Sequence, residues 1–149
     1  MRICIDTNIL IDVLKDEFRE WQEKFYKAIS GKESLISPCV VYAELMPQFG
    51  GDTVMLNEFL ADHNIRTESV DLSAATEAAK RWMKYLKVKS RKICNHCGKP
   101  LEFKEHFLSD FYIGGFALSK CDAILTRDRG IYKKYFPELS GYDNCLDEL

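Results

Sequence analysis

Asp6, Glu44, Asp110 and Asp128 stand where an acid either costs free energy or is pointedly placed. Asp6 and Asp128 each follow a short apolar run, Ile3-Cys4-Ile5 and Ala123-Ile124-Leu125 respectively. Glu44 sits among Val40, Val41, Ala43 and Leu45, and Asp110 opens a stretch containing Phe111, Ile113, Phe116, Ala117 and Leu118. Burying a lone carboxylate is expensive, so each needs a compensating partner or a local reason to be there. Local reasons exist. Asp6 is suited to stabilise a turn, Asp110 to face the positive end of a helix dipole, and Glu44 to sit on a solvent-facing side. These explain the acids one at a time; their joint occurrence is better explained by a shared crevice. Thr7 and Asn8 beside Asp6, and Thr126 beside Asp128, add polar groups able to hydrogen-bond a carboxylate or a metal-bound water. No histidine is placed as an evident general base.

The elements that must position these residues alternate. Strands are expected at 2–5, 34–37, 65–70 and 123–125, each run short, apolar or weakly alternating. Helices are expected over 8–14, 16–29, 53–62, 74–86, 108–119 and 131–136, with Phe18, Trp21, Phe25 and Ile29 sharing one face of the second. A further helix carries Glu44, with Ser37 as its cap and Pro38 in its first turn, and Ser73 is expected to cap the helix over 74–86. The tail is a candidate weak edge strand. Strands separated by helices imply an α/β fold with a mostly parallel sheet covered on both faces. Ligands bind beyond the carboxyl ends of such strands, which is where Asp6 and Asp128 fall.

The 149 residues suit one domain, residues 1–149, with 46% hydrophobic and 30% charged residues excluding wholesale disorder. No apolar run is long enough for a membrane span, and the opening Met1-Arg2-Ile3-Cys4-Ile5 turns polar at Asp6, so a cytoplasmic location is expected. The net charge of −2 hides an asymmetry: Lys80 to Lys104 holds nine basic residues against one acid, Glu102. A basic stripe beside an acidic pocket would suit an enzyme that cuts phosphodiesters, although a charge run taken alone is more often a solvated helix face. Lys89, Arg91, Lys92, Arg127 and Arg129 are the candidate RNA contacts.

In a reducing compartment the six cysteines read as core residues or metal ligands rather than disulfides. Within a basic insertion at about 91–105, Cys94-Asn95-His96-Cys97-Gly98 forms a knuckle-like turn able to grip one ion through two thiolates. Structural Zn²⁺ needs four ligands. His106 is the local candidate for a third, and a partner subunit's knuckle could complete the set; the alternative is a reduced pair on a surface loop. Cys4, Cys39 and Cys121 adjoin apolar residues and are expected in the core, Trp21, Trp82 and Tyr85 in the core or at an interface, while Cys145 has no evident pair and His63 no evident role.

The residues also resemble a family. Ile5-Asp6-Thr7-Asn8-Ile9-Leu10, Val41-Tyr42-Ala43-Glu44-Leu45, Leu108-Ser109-Asp110-Phe111-Tyr112-Ile113-Gly114 and Ala123-Ile124-Leu125-Thr126-Arg127-Asp128-Arg129-Gly130 resemble the PIN-domain nucleases, and among them the VapC-type toxins of prokaryotic toxin–antitoxin pairs. The likeness runs nearly end to end. It implies a three-layer α/β/α PIN-like fold with a central sheet of four or five strands. It further implies that Asp6, Glu44, Asp110 and Asp128 hold Mg²⁺ or Mn²⁺ in an endoribonuclease, usually a homodimer inhibited by a cognate antitoxin. The chemistry agrees. Clustered carboxylates repel one another without a cation and suit hard ions, which supply a nucleophilic water at neutral pH. A haloacid-dehalogenase-like phosphatase would need a second acid where Asn8 stands. An RNA-processing endonuclease that is not a toxin, or a non-catalytic RNA-binding or adaptor module, remains as an alternative reading of the same fold.

Overall fold

The computed structural model describes residues 1–91, 93–99 and 105–142. In chain order the elements are β1 (Arg2–Ile5), α1 (Thr7–Lys15), α2 (Arg19–Ser30), β2 (Ser34–Pro38), α3 (Cys39–Leu45), a 3-10 turn (Met46–Phe49), α4 (Thr53–Asp62), β3 (Ile65–Glu68), α5 (Leu72–Arg91), α6 (Leu108–Lys120), β4 (Ala123–Leu125) and α7 (Arg129–Tyr135). The four strands are all parallel, in the order β3-β2-β1-β4. Parallel neighbours need long crossovers, and helices supply them here. Ile3, Cys4 and Ile5 are all fully buried. Successive strand side chains point to opposite faces, so both faces of the sheet are covered, as expected for this α/β architecture.

Strand order matters for the site. The chain builds from β1 through β2 to β3 on one side and returns to place β4 on the other side of β1. The switch point therefore lies between β1 and β4, and the crevice beyond their carboxyl ends is where an open α/β sheet binds ligands. Asp6 donates its backbone N–H to the Leu125 carbonyl at 3.1 Å, joining the two strand ends there.

Helix α6 is buried nearly all round, through Phe111, Ile113, Gly114, Gly115, Phe116 and Ala117. Gly115 is a matter of space. A Cβ there would meet the Ala74 carbonyl oxygen of α5 at 2.4 Å. The bare backbone thus lets α5 and α6 cross closely, which seats the first turn of α6, and Asp110 with it, over the sheet. Full burial of Phe111 and Phe116 contributes about 1.5–3 kcal/mol each.

Several local expectations are corrected. Strand β2 runs through Pro38, and the buried Ser37 donates its hydroxyl to the Pro38 carbonyl at 3.4 Å instead of capping α3. Asp71, not Ser73, caps α5, accepting the Ala74 N–H at 2.9 Å. That helix continues to Arg91 because no glycine or proline interrupts it. Left-handed Asp16 and Phe18 delay α2 to Arg19. Cys39 lies exposed at the start of α3, not in the core. Trp21 and Trp82 are partly buried and Tyr85 fully so. The expected edge strand amounts to one parallel bridge between Gly141 and Ile124; residues 143–149, with Cys145, lie outside the described residues.

Candidate active site

Asp6 ends β1 and caps α1, its Oδ1 accepting the Thr7 N–H at 2.7 Å. Its Oδ2 accepts from the Thr126 hydroxyl at 2.7 Å, from Asn8 Nδ2 at 3.1 Å and, more weakly, from the Tyr132 hydroxyl at 3.4 Å. These donors are all neutral, and the residue is only 5% exposed. Burial pushes the Asp6 carboxyl up to about 6. The hydrogen bonds from Thr126 and Thr7 pull the other way, while the charges of Asp110 and Glu44 push it up further.

Two threonines join Glu44 and Asp128 to this hub. Thr7 donates its hydroxyl to Glu44 Oε1 at 3.0 Å, linking α3 to the end of β1. Glu44 is exposed to solvent on one side, yet desolvation by its surroundings raises its pKa; the Thr7 hydrogen bond opposes the rise and the Asp110 charge adds to it. Thr126 Oγ1 accepts the Asp128 N–H at 3.0 Å, which fixes the start of α7 against Asp6. Asp110 keeps part of its local explanation, since Oδ2 accepts the Phe107 N–H at 3.2 Å at the start of α6. Its charge nevertheless reaches Asp6, Glu44 and Tyr132. The Asp110 and Glu44 charges are thus felt at Asp6, and those of Asp6, Asp110 and Asp128 at Tyr132. Among the described residues, no three His, Cys, Asp or Glu side chains close on a common point tightly enough to enclose an ion.

Sequence reasoning missed two participants. Tyr132 reads as a core aromatic on a short helix, yet it reaches Asp6. Burial first, then the charges of Asp6, Asp110 and Asp128, hold its hydroxyl protonated well above the usual tyrosine range. Its spacing of four residues from Asp128 was the available signal. Asp12 is fully buried one helical turn beyond Asn8 and pairs with Arg127, Nε to Oδ2 at 2.8 Å and Nη2 to Oδ1 at 3.1 Å.

That pair changes the place of Arg127, which was expected at RNA. Its guanidinium lies 4.0 Å from the centroid of the Phe18 ring, and its backbone N–H donates to Asn8 Oδ1 at 3.2 Å, so it braces the residue that holds Asp6. Arg129 stands over Trp21 at 5.2 Å from the ring centroid. Lys89 pairs with Glu105 at 2.5 Å, Arg91 ends α5, and Lys92 lies outside the described residues. The basic stripe is also broken, because Arg81 turns inward to Glu77, Glu138 and the Phe136 ring.

The knuckle turn forms, with the Gly98 N–H donated to the Cys94 carbonyl at 2.9 Å and Gly98 in the left-handed conformation that favours glycine. Backbone N–H groups of His96 and Cys97 lower the pKa of the Cys94 thiol. His106 does not join it. Its ring packs at 5.5 Å from Tyr85 and its N–H donates to the Tyr85 hydroxyl at 2.9 Å, and no three-ligand group forms among the described residues. Residues 100–104 of the insertion lie outside the description.

Comparison with known proteins places this geometry. No curated protein matches the sequence. Among solved structures, VapBC2 from Rickettsia felis, crystallised with a DNA fragment from their promoter, superposes with a TM-score of 0.64 at 14% identity, over 94% of this chain and 96% of the other. VapBC-1 from nontypeable Haemophilus influenzae gives 0.64 at 20% identity, over 95% and 96%. At such identities the likeness concerns the fold. The sequence model of the PIN domain matches residues 3–137, a span containing all four acids and, but for Arg2 of β1, all four strands. With that match over most of its length and a four-stranded parallel sheet flanked by helices, the chain belongs to the PIN domain family.

Proposed function

We propose that the protein is an endoribonuclease of the VapC type, the toxin of a toxin–antitoxin pair, which cleaves RNA phosphodiester bonds with Mg²⁺ or Mn²⁺ and water. The observation that carries this reading is Asp6, a buried carboxylate met by neutral donors alone and facing Glu44 and Asp110. Such a group is costly unless a cation shares it. The donors are all oxygen, which suits hard divalent ions. Asp6, Glu44, Asp110 and Asp128 would hold the metal. A bound ion would supply a water of lowered pKa and offset the charge that builds on the phosphate oxygens.

The chain's other residues orient these acids. Thr7 fixes Glu44 against Asp6, Thr126 fixes Asp128, and Asn8 ties Asp6 to the loop after β4. Tyr132, kept protonated by burial and by the neighbouring acids, donates to Asp6 without competing for the ion. The two VapBC structures that share the fold support a cognate antitoxin as partner; a homodimer acting in the cytoplasm completes the proposal. No helix among the described residues is long and apolar enough to cross a membrane. Zinc has no part in this reading, because the knuckle offers two thiolates and His106 is held elsewhere.

The test is incubation of purified protein with total RNA, with and without Mg²⁺ or Mn²⁺, beside Asp110→Asn. Cleavage that needs the metal and is lost in the variant supports the reading; cleavage that survives excess chelator overturns it.

A further inference from the structure

The knuckle turn holds two sulfurs for which the nuclease chemistry has no use. Cys94 and Cys97 are the first and fourth residues of a turn closed by two backbone bonds. The Gly98 N–H is donated to the Cys94 carbonyl at 2.9 Å and the Cys94 N–H to the Lys99 carbonyl at 2.8 Å. A tight turn brings its first and fourth Cα atoms within about 7 Å, and a disulfide spans about 4.4–6.8 Å. The backbone that a disulfide needs is therefore in place. Both residues are free thiols, Cys97 exposed and Cys94 partly so.

No other described cysteine combines a close partner in sequence with access to solvent. Cys4 is buried in β1, Cys121 is half-buried at the end of α6, and exposed Cys39 opens α3 with no second cysteine in its turn. The knuckle stands off the end of α5, and the chain returns to that helix where Glu105 pairs with Lys89 and the His106 N–H meets the Tyr85 hydroxyl. The pair thus lies outside the core, where a small oxidant reaches it. The two sulfurs also differ. The backbone N–H groups of His96 and Cys97 hold the Cys94 thiol below its ordinary pKa, which makes Cys94 the attacking sulfur and Cys97 the resolving one.

We propose that Cys94 and Cys97 form a reversible oxidation site, a dithiol that a hydroperoxide converts into a disulfide. The Cys94 thiolate attacks one peroxide oxygen and the O–O bond breaks. The departing oxygen takes up the proton that Cys94 lost and leaves as water or an alcohol, and Cys94 becomes a sulfenic acid. The Cys97 sulfur then attacks Cys94; the S–S bond forms, the S–O bond breaks, and hydroxide leaves as water with the Cys97 proton. Two thiols give up two electrons, and the peroxide accepts them. A reducing compartment keeps the pair as thiols at rest and returns the disulfide to them by thiol exchange. The site needs no metal, RNA or acid, so it stands apart from the nuclease reading.

The test is oxidation of the reduced, desalted full-length protein with equimolar hydrogen peroxide. Samples are quenched with an alkylating reagent at intervals and mapped by mass spectrometry. Cys94→Ser, Cys97→Ser and a control, Cys39→Ser, run in parallel, each checked for fold by circular dichroism. In the wild type a Cys94–Cys97 disulfide, seen as the loss of two hydrogen atoms, should form on the order of tenfold faster than Cys39 loses its thiol. Cys39→Ser should form the same disulfide, and dithiothreitol should restore both thiols. Neither knuckle variant should form it, and in Cys97→Ser the sulfenic acid should persist at Cys94 and be trapped by dimedone. Oxidation of the pair no faster than that of Cys39 overturns the proposal, as do disulfides formed chiefly between molecules. So does purified protein that carries stoichiometric zinc and resists peroxide until chelator is added, since the thiols would then be metal ligands.

Discussion

The Thr126 hydroxyl donates to Asp6 at 2.7 Å and accepts the backbone N–H of Asp128 at 3.0 Å, so one side chain sets the relation between acids 122 positions apart in sequence. Thr126→Val keeps the shape and removes both bonds. It should lower the cleavage rate on the order of 10–100-fold, while Thr126→Ser restores most of it. Single-turnover cleavage at saturating Mg²⁺ reads this, and a Val variant as fast as wild type would deny Thr126 its positioning role.

The Asp6 carboxyl, titrating near 6 rather than its ordinary 3.8, gives stability a definite pH trend. The folded state holds this proton more tightly than the unfolded chain. Asp6 therefore contributes most at low pH, and its contribution falls as pH rises from about 4 to about 6. The loss is about 3 kcal/mol by pH 7 in metal-free protein. Asp6→Asn removes this term, so it should be more stable than wild type at pH 7 in chelator, with the advantage shrinking toward pH 4. Mg²⁺ should close the gap by stabilising the wild type alone. Urea melts across that range measure the difference, and curves parallel at every pH would refute it.

Arg127 and Asp12 form the second pairing that the site leans on. Arg127→Leu leaves the buried Asp12 charge uncompensated and should cost about 2–4 kcal/mol, somewhat less than a fully buried pair because Arg127 is partly exposed. The double variant Asp12→Leu, Arg127→Leu should recover much of that loss. Strictly additive losses in urea melts would mean that the two residues act independently.

Gly115→Ala sets helix propensity against space. Alanine is the better helix former by about 1 kcal/mol, but its Cβ would stand 2.4 Å from a backbone carbonyl that cannot turn aside. Space decides the sign. The variant should lose about 1–3 kcal/mol, read as a lowered Tm, and an unchanged or raised Tm would mean that the α5–α6 crossing is looser than described.

What the sequence made legible was whatever rests on short-range pattern. Asp6 and Asp128 could be placed because each ends an apolar run, and the parallel sheet followed from strands alternating with helices. The polar neighbours Thr7, Asn8 and Thr126 were evident as residue types, and the structure gives each of them a carboxylate to hold. Long-range pairing stayed hidden. Asp12 looks like any acid on a helix until Arg127, 115 residues later, is brought against it. Caps failed for a related reason: Ser37 and Ser73 have the right type, but β2 extends through Pro38 and Asp71 offers a carboxylate two residues ahead of Ser73. Arg81 and Arg127, which count as surface charge in a linear tally, are spent on internal partners.

The central claim is that acids distant in sequence share a divalent cation through Asp6. Titration of Mn²⁺ into wild type, Asp6→Asn and Glu44→Gln, followed by electron paramagnetic resonance of the free ion, tests it most directly. The account predicts saturable binding by the wild type, weakened at least tenfold by each substitution. Equal Mn²⁺ binding in all three proteins would contradict it.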